Sequence, residues 1–273
     1  MTLTIGIPSR GVSTSLVRVL QHALSLPEVG EILVGINPGD GDTSLLNQFL
    51  DLKRIVFFEH QENIGLYGNF RFLLNKASHS RFQWFCVDDE ASSTLITQLE
   101  KYDSGMIKLA IPTWFWSEYD PIKADFNRAK LDEGVYPCFL TSKNKVSSII
   151  HAEPSWIFGI WNTQYLKSIF PSRDFDWLDV YLLQRALLDN VVEVVDVKSP
   201  MIIGTWHWAD KIPAPTSGRY HNPFFAIALQ IYLTPRISLM HFSGFRLSIR
   251  RIKSLVVQSR AMNRLISERF EIL

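Results

Sequence analysis

An apolar, aromatic-rich run ends in three consecutive carboxylates, Asp88, Asp89 and Glu90, within the stretch QWFCVDDEAS. Like charges this close together repel one another, so a neighbouring positive group has to compensate them. Hard cations such as Mg²⁺ and Mn²⁺ prefer carboxylate oxygens and share their coordination with phosphate oxygens of a substrate. The residue types therefore predict a divalent-cation site for an anionic substrate. The alternative is an acidic turn that caps a helix expected from about Ser92.

The elements that position these carboxylates alternate between strand and helix. Strands are predicted at 3–8, 31–36, 54–60 and 81–87, and helices at 14–26, 43–52 and 67–78. This order predicts an α/β fold with right-handed crossovers and a Rossmann-like, mostly parallel sheet flanked by helices. Ligands of such sheets bind at the carboxyl ends of the strands. Three loops are expected there, with the sequences PSRG, NPGDGD and DDEAS.

The second half of the chain is less regular. Residues 112–150 are predicted to form aromatic and polar loops. Helices are predicted at 162–170, beginning at Asn162, and at 177–189, with strands at 191–197 and 200–208. The last fifty residues lack strand alternation and are predicted to be helical.

Composition narrows the class of protein. The chain has 273 residues and is 47% hydrophobic, which is enough for one large core, and its net charge of +1 argues against a nucleic-acid partner. The two cysteines, Cys86 and Cys138, imply no disulfide framework and favour a reducing cytoplasm. We expect no signal peptide. The longest apolar stretch, FFAIALQIYL, is about half as long as a membrane crossing requires.

The order of four motifs resembles the family 2 glycosyltransferases with the GT-A fold. The motifs are IGIPSR, EILVGI, the Asn-x-Gly turn of QENIGLYGNF, and VDDE. The resemblance covers about residues 3–210. It implies a GT-A domain at 1–220, with a nucleotide-sugar half at 1–110 and an acceptor half at 111–220. A basic, helical extension follows at 221–273.

In that family, the aspartates of the fourth motif bind the metal and the diphosphate of a nucleotide sugar. The resemblance implies Asp88 as a ligand of the nucleotide, and Asp89, Glu90 and His207 as ligands of Mn²⁺ or Mg²⁺. The other nucleotide-sugar-binding residues that it implies are Pro8, Ser9, Arg10, Asn37, Asn63, Gly65 and Asn69. Asn69 is equally consistent with a helix start, and His207, flanked by tryptophans, with a packed residue.

One position departs from the family pattern. Asn37 stands at the end of the second strand, where the family usually has an acid that accepts a hydrogen bond from the base, and Asp40 and Asp42 are displaced from it. An amide both accepts and donates, so base recognition is altered and the usual preference for uridine is not implied.

The second half supplies a candidate base. WLDVYLLQR resembles the acidic pair of the family, with Asp179 and Arg185 at matching spacing and Leu178 where an acid commonly stands. An inverting transfer needs a carboxylate to deprotonate the acceptor hydroxyl. Asp179 is the predicted base and Asp176 the reserve, and both are also consistent with the N-terminus of a helix. By the same resemblance, Trp156 and Gly159 are predicted to line the acceptor pocket.

Together these features predict an inverting, metal-dependent, hexosyltransferase-like enzyme. Its substrates would be a nucleotide-diphospho-sugar and a glycan or lipid-linked acceptor of surface-polysaccharide or lipid-linked glycan synthesis. The alternatives are a catalytically degenerate binding or membrane-associated partner protein, favoured by Asn37 and Leu178, and a nucleotidyltransferase, which would need a more basic first loop. The C-terminal helices mix apolar and basic residues. They predict either peripheral contact with the inner face of a membrane or packing against the body or a second copy.

Overall fold

The computed structural model describes residues 2–87, 89–90, 107–112, 114–120, 123, 125–133, 154–172, 178–195 and 201–205. Contacts divide the chain into two units. The first comprises Met1–Val135, Ser155–Phe170 and Val191–Trp206, and the second comprises Tyr136–Pro154, Pro171–Asn190 and His207–Leu273. The predicted boundary at residue 220 and the two functional halves stay predictions, and the predicted extension at 221–273 lies outside the described residues.

The described strands and helices follow the predicted alternation through the first ninety residues. The strands are β1 (Leu3–Val12), β2 (Val29–Gly41), β3 (Ile55–Glu59), β4 (Arg81–Trp84), β5 (Asp89–Glu90), β6 (Leu109–Pro112), β7 (Trp114–Asp120), β8 (Asp125–Glu133), β9 (Ile160–Asn162), β10 (Val192–Val195) and β11 (Met201–Thr205). The helices are α1 (Thr14–Ser25), α2 (Gly65–Lys76), α3 (Thr163–Ile169) and α4 (Leu178–Leu188), with 3-10 helices at Thr43–Phe49 and Pro154–Phe158.

A seven-stranded sheet in the order β10-β6-β9-β4-β1-β2-β3 lies in the first unit. Its neighbouring strands pair in parallel except at β9, which is antiparallel to both β4 and β6. The predicted mixed, mostly parallel sheet with flanking helices is therefore confirmed. Leu3, Ile5 and Ile7 of β1 are at most 1% exposed, as expected for a central parallel strand that is covered on both faces.

Two of the predicted loops are paired strand instead. β1 continues through Pro8 to Val12, and β2 continues through the NPGDGD stretch to Gly41, with Arg10 opposite Asn37 and Val12 opposite Gly41. Gly11 has a φ of 64° and Gly41 a φ of 141°, and the register shifts between Arg10 and Val12. Glycines at positive φ make this bulged extension possible. The same residues are typical of turns, which is why the sequence predicted loops here.

The segment 112–150 was predicted to form loops, and this prediction is wrong over its first part. β7 and β8 pair antiparallel, and β7 also pairs in parallel with β11, in a second sheet of order β5-β11-β7-β8. The aromatic residues of β7 have high strand propensity, and its partner β11 comes from much later in the chain. Residues 134–153 lie outside the described residues.

Helix caps confirm three of the expected boundaries. The Ser13 hydroxyl accepts a hydrogen bond from the Leu16 amide (3.2 Å), and the Asn162 side chain accepts one from the Tyr165 amide (2.9 Å). Asp42 caps the 3-10 helix in the same way, through the Ser44 amide (2.9 Å). Hydrogen bonds from the Ser44 side chain and backbone hold the pKa of the Asp42 carboxyl below its ordinary value. Asp42 therefore serves the helix start.

A membrane-spanning helix was not expected. Within the part of the chain that the structure describes, no helix combines the length and the apolar character needed to cross a bilayer.

Gly11 provides a test of the β1–β2 extension. A Cβ at this position would lie 2.0 Å from the Asp40 carbonyl oxygen, at a positive φ. We expect Gly11→Ala to lower the free energy of unfolding by about 2 kcal/mol or more, measured by urea denaturation.

Gly30→Ala is the matched control. Its Cβ would meet only the movable end of the His79 side chain, at 2.6 Å, and its φ is not positive. We expect a change within about 1 kcal/mol. Equal losses in the two variants would show that the extension does not depend on the backbone of Gly11.

Candidate functional site

The candidate site lies where β4, β1 and β2 end. These three strands are parallel neighbours, so their carboxyl ends meet at one edge of the sheet. β4 stops at Trp84, opposite Gly6, and the Phe85 amide makes one further hydrogen bond to the Gly6 carbonyl (2.9 Å). Residues that follow β4 therefore come out beside the extended ends of β1 and β2.

Asn37, within the extended part of β2, joins that strand to the turn before α2. Its Oδ1 accepts a hydrogen bond from the Ile64 amide (3.0 Å), and its Nδ2 donates to the Gly65 carbonyl (3.4 Å). The side chain of Asn63 accepts from the Gly65 amide (2.9 Å), and Gly65 has a φ of 77°. The structure thus brings together three predicted nucleotide-site residues, Asn37, Asn63 and Gly65. Asn37 is 6% exposed, and its amide binds backbone.

Asn69 fastens α2 to β2 from inside the protein. It is fully buried, and its Nδ2 donates to the Gly35 carbonyl (2.7 Å). Its Oδ1 lies 3.3 Å from Nε2 of His60, and because that oxygen can only accept, the Nε2 must carry the proton in this contact. A Cβ on Gly35 would lie 1.9 Å from the same oxygen. These contacts place Asn69 beneath the site, and its role in nucleotide binding stays a prediction.

The predicted first-loop residues lie on the β1 extension. Pro8 and Ser9 are buried, and the Ser9 hydroxyl donates to the Gly11 carbonyl (2.8 Å). Arg10 is exposed. Pro8 is tolerated in this strand because β1 pairs with β4 only over Leu3–Gly6, so no ladder neighbour on that side needs its missing amide. Of the three, Arg10 is the side chain with free access to an anionic ligand.

The two described carboxylates of VDDE differ in their surroundings. Asp89 and Glu90 form β5, so their side chains project to opposite faces of the strand. Asp89 is 1% exposed, and its Oδ2 accepts a hydrogen bond from the Cys86 amide (3.0 Å). Glu90 is half-buried. Asp88 and His207 lie outside the described residues.

A metal ligand set is only partly represented in these elements. Across the described residues, no group of three or more His, Cys, Asp and Glu side chains could hold a metal ion. Glu90 nevertheless has the donor chemistry that Mg²⁺ and Mn²⁺ need, because these ions take one or two protein carboxylates and fill the remaining positions with water or phosphate oxygens. Glu90 therefore has the chemistry of one such ligand, and its binding of a metal stays a prediction.

The predicted acceptor residues lie on the approach to β9. Trp156 belongs to the 3-10 helix Pro154–Phe158 and is 2% exposed, so its ring packs in the core. A Cβ on Gly159 would lie 2.6 Å from the Ala110 carbonyl oxygen, which explains the glycine there. The side chain of Gln83 on β4 donates to the Phe158 carbonyl (2.7 Å). Contact of Trp156 and Gly159 with an acceptor stays a prediction.

The predicted base lies in the second unit. Asp179 is half-buried in the first turn of α4, and its Oδ1 accepts a hydrogen bond from the Val180 amide (2.8 Å). Arg185 forms an ion pair with Asp189 (3.1 Å), and Leu178 is 1% exposed. Asp176 lies outside the described residues. The role of Asp179 as base stays a prediction.

Two residues of this region were missed at the level of sequence. His60 binds Asn69, and Arg18 of α1 donates hydrogen bonds to the carbonyls of Val87 and Asp89. Neither lies in a motif. Arg18 is separated from its partners by 69 and 71 positions, so only the helix–sheet packing brings them together.

Comparison with known proteins establishes the fold. No protein-family model and no curated protein sequence matches the chain. Among solved structures, the chain is similar to S. aureus TarS 1-349, with a TM-score of 0.63 and 13% identity over 93% of this chain and 72% of that one. The complex of TarS 1-349 with UDP-GlcNAc gives a TM-score of 0.61 and 14% identity, over 86% of this chain and 66% of that one.

A third similar structure is a mannosyltransferase complex. The mannosyltransferase PcManGT from Pyrobaculum calidifontis, in complex with GDP-Man and Mn²⁺, gives a TM-score of 0.53 and 11% identity, over 95% of this chain and 75% of that one. Identities this low show the fold alone. The chain has the GT-A-type fold of these glycosyltransferase structures.

The contacts of Asn37 generate a stability prediction. Asn37→Ala removes the acceptor of the Ile64 amide and leaves that part-buried group without its protein partner. We expect the free energy of unfolding to fall by about 1–3 kcal/mol in urea denaturation.

The control is Asn47→Ala, at an exposed asparagine of the 3-10 helix. We expect a change within about 0.5 kcal/mol. A loss at Asn37 no larger than at Asn47 would contradict the anchoring role of its amide.

Proposed function

We propose that this protein is a glycosyltransferase that moves a sugar from a nucleotide-diphospho-sugar to a hydroxyl acceptor. The observation that carries the proposal is the carboxyl edge of a GT-A-type sheet, where Asn37, the Asn63–Gly65 turn and the strand of Glu90 lie. Similar solved structures contain UDP-GlcNAc or GDP-Man with Mn²⁺, which supports a donor of this class.

Donor binding is proposed to use both the sheet edge and a divalent cation. Glu90 would hold Mn²⁺ or Mg²⁺, with Asp88 toward the nucleotide and His207 toward the metal. When bound, the ion supplies positive charge to the departing diphosphate. Arg10, exposed on the β1 extension, adds a fixed positive charge beside the same edge. The backbone of the Asn63–Gly65 turn, held by Asn37, shapes the wall against the base.

The chemical step is proposed to be an inverting, hexosyl-type transfer. As the hydroxyl oxygen of the acceptor attacks the anomeric carbon, a carboxylate of the enzyme must accept the hydroxyl proton. Asp179 is the proposed base, placed in the first turn of α4, where its Oδ1 accepts a hydrogen bond from the Val180 amide. Trp156 and Gly159 are proposed to set the segment that faces the acceptor.

The proposed setting is the synthesis of surface polysaccharide or lipid-linked glycan at the cytoplasmic face of a membrane. The basic, apolar-patterned sequence at 221–273 supports it, because such segments bind anionic lipid surfaces.

Metal-dependent donor binding is the direct test. We expect UDP, GDP or dTDP to bind with Mn²⁺ and to bind more weakly with EDTA in isothermal titration. Glu90→Gln removes a charged ligand, and we expect the Mn²⁺-dependent affinity to fall about tenfold or more.

Glu193→Gln, an exposed glutamate on β10, is the matched control, and it should keep the affinity of the wild type. Failure of all three nucleotides to bind in a metal-dependent way would overturn the proposed function.

Asp179→Asn separates an enzyme from a binding protein. We expect turnover of donor in the presence of acceptor to fall about 100-fold or more, because the amide cannot take the proton, while donor affinity stays as in the wild type. Asp51→Asn, at an exposed site, is the control for the substitution itself. A wild-type protein that binds donor but shows no turnover, with or without the substitution, would identify a binding protein instead.

A further inference from the structure

Arg18 reaches from α1 to the backbone on both sides of position 88. Its Nη2 donates to the Val87 carbonyl (3.0 Å) and to the Asp89 carbonyl (2.9 Å). The helix that carries it is firmly seated, since Leu16, Val19 and Leu20 are completely buried against the sheet. Hydrogen bonds from a charged donor are stronger than neutral ones. Arg18 therefore ties this backbone to a rigid element.

Two hydrogen bonds between Asp89 and Cys86 close a turn in the same backbone. Its amide donates to the Cys86 carbonyl (3.1 Å), and its carboxylate accepts from the Cys86 amide (3.0 Å). This reciprocal pair joins residues three apart in the chain, and the Asp89 side chain is 1% exposed. The carboxylate of Asp89 is thus turned back onto the end of β4.

The opposite face of β5 belongs to Glu90. Because successive strand residues alternate in direction, a carboxylate of Asp89 that faces Cys86 directs Glu90 away from it. The pairing of Asp89 with Ile203 and of Glu90 with Ile202 on β11 holds this alternation in register. Three independent sets of contacts, from α1, from Cys86 and from β11, therefore determine which carboxylate points where.

We propose that Arg18 and Asp89 are positioning residues for the acidic loop, by which we mean Cys86, Val87, Asp89 and Glu90. They hold the backbone so that Glu90, and not Asp89, meets the metal and diphosphate of the donor. The Arg18 guanidinium also brings positive charge to the backbone of the loop that carries Asp89 and Glu90. The inference rests on the proposed function for the presence of a bound metal. The hydrogen bonds of the acidic loop do not depend on that function.

The two roles for Asp89 predict different substitution patterns. A positioning Asp89 acts through its hydrogen bond from the Cys86 amide, which an asparagine oxygen can also accept, so asparagine should replace it and alanine should not. If Asp89 were instead a metal ligand, it would need its negative charge, and Asp89→Asn should lose metal-dependent affinity as Glu90→Gln does. Both carbonyls accept from one nitrogen of Arg18, Nη2, so a lysine ammonium should rescue partly, and methionine, which has no donor, not at all.

The experiment combines two measurements on the full chain: amide hydrogen exchange of the acidic loop without ligand, and titration of Mn²⁺ with UDP and, in parallel, GDP. We expect Asp89→Ala and Arg18→Met to speed exchange of the Cys86 amide region about tenfold or more. We expect the same variants to weaken metal-dependent nucleotide binding about tenfold or more. Asp89→Asn should restore slow exchange and recover affinity to within about threefold.

Controls at exposed positions are Asp51→Ala and Lys53→Met, which should leave exchange and binding as in the wild type. One outcome would overturn the proposal: Asp89→Asn keeps slow exchange but loses as much nucleotide affinity as Glu90→Gln. Asp89 would then be a metal ligand. Unchanged exchange in both Asp89→Ala and Arg18→Met would also overturn it. If Asp89→Ala does not fold, comparing Asp89→Asn with Glu90→Gln still decides between a positioning role and a ligand role for Asp89. Neither of these two substitutions removes side-chain volume.

The two levels of inference fail differently. A wild type that binds neither nucleotide with Mn²⁺ would overturn the proposed function and the positioning of a metal ligand with it. Faster exchange in Arg18→Met and Asp89→Ala would then still be seen, because those contacts need no ligand.

Discussion

The site depends on one constraint: where parallel strands end, backbone N–H and C=O groups lose the neighbouring strand and must find other hydrogen-bond partners inside the protein. Side chains supply them here. Asn69 binds the Gly35 carbonyl, Asn37 binds the Ile64 amide and the Gly65 carbonyl, Asp89 binds the Cys86 amide, and Arg18 binds the Val87 and Asp89 carbonyls. Each contact spans two elements or closes a loop, so the satisfied backbone is also a rigid edge. In the proposed function, the donor would meet a surface whose shape is settled before binding, which lowers the entropic cost of association.

This arrangement changes how polar residues in the motifs are interpreted. A buried amide such as Asn69, with both ends of its side chain bonded to protein, reaches a substrate only through the backbone it holds. Asn37 is similar, and a carboxylate in its place could accept from Ile64 but could not donate to Gly65. The structure thus gives a local reason for an asparagine at this position: the side chain of Asn37 is committed to the turn before α2.

The sequence was sufficient for the alternating core and insufficient for contacts across it. Hydrophobic periodicity located β1 to β4, α1 and α2, because local burial dictates that pattern. The β1–β2 extension was missed because Gly11 and Gly41 resemble turn residues by composition, although here they permit a bulge. β7 and β8 were missed because their sheet is completed by β11, which is remote in sequence. The proposed difference in role between Asp89 and Glu90 rests on the direction of β5 and on the contacts of Arg18, and the three acidic residues alone encode neither.

β9 has a further consequence for the architecture. It runs against its neighbours, so the chain reaches it from the edge at which β4 leaves the sheet, and the Gln83 bond to the Phe158 carbonyl marks that meeting point. Residues Ser155–Gly159 are held there by packing, since Trp156 is 2% exposed and a Cβ on Gly159 would lie 2.6 Å from the Ala110 carbonyl oxygen. The single reversed strand of the seven-stranded sheet thus covers the end of β4 with a packed segment that comes 75 positions later in the chain.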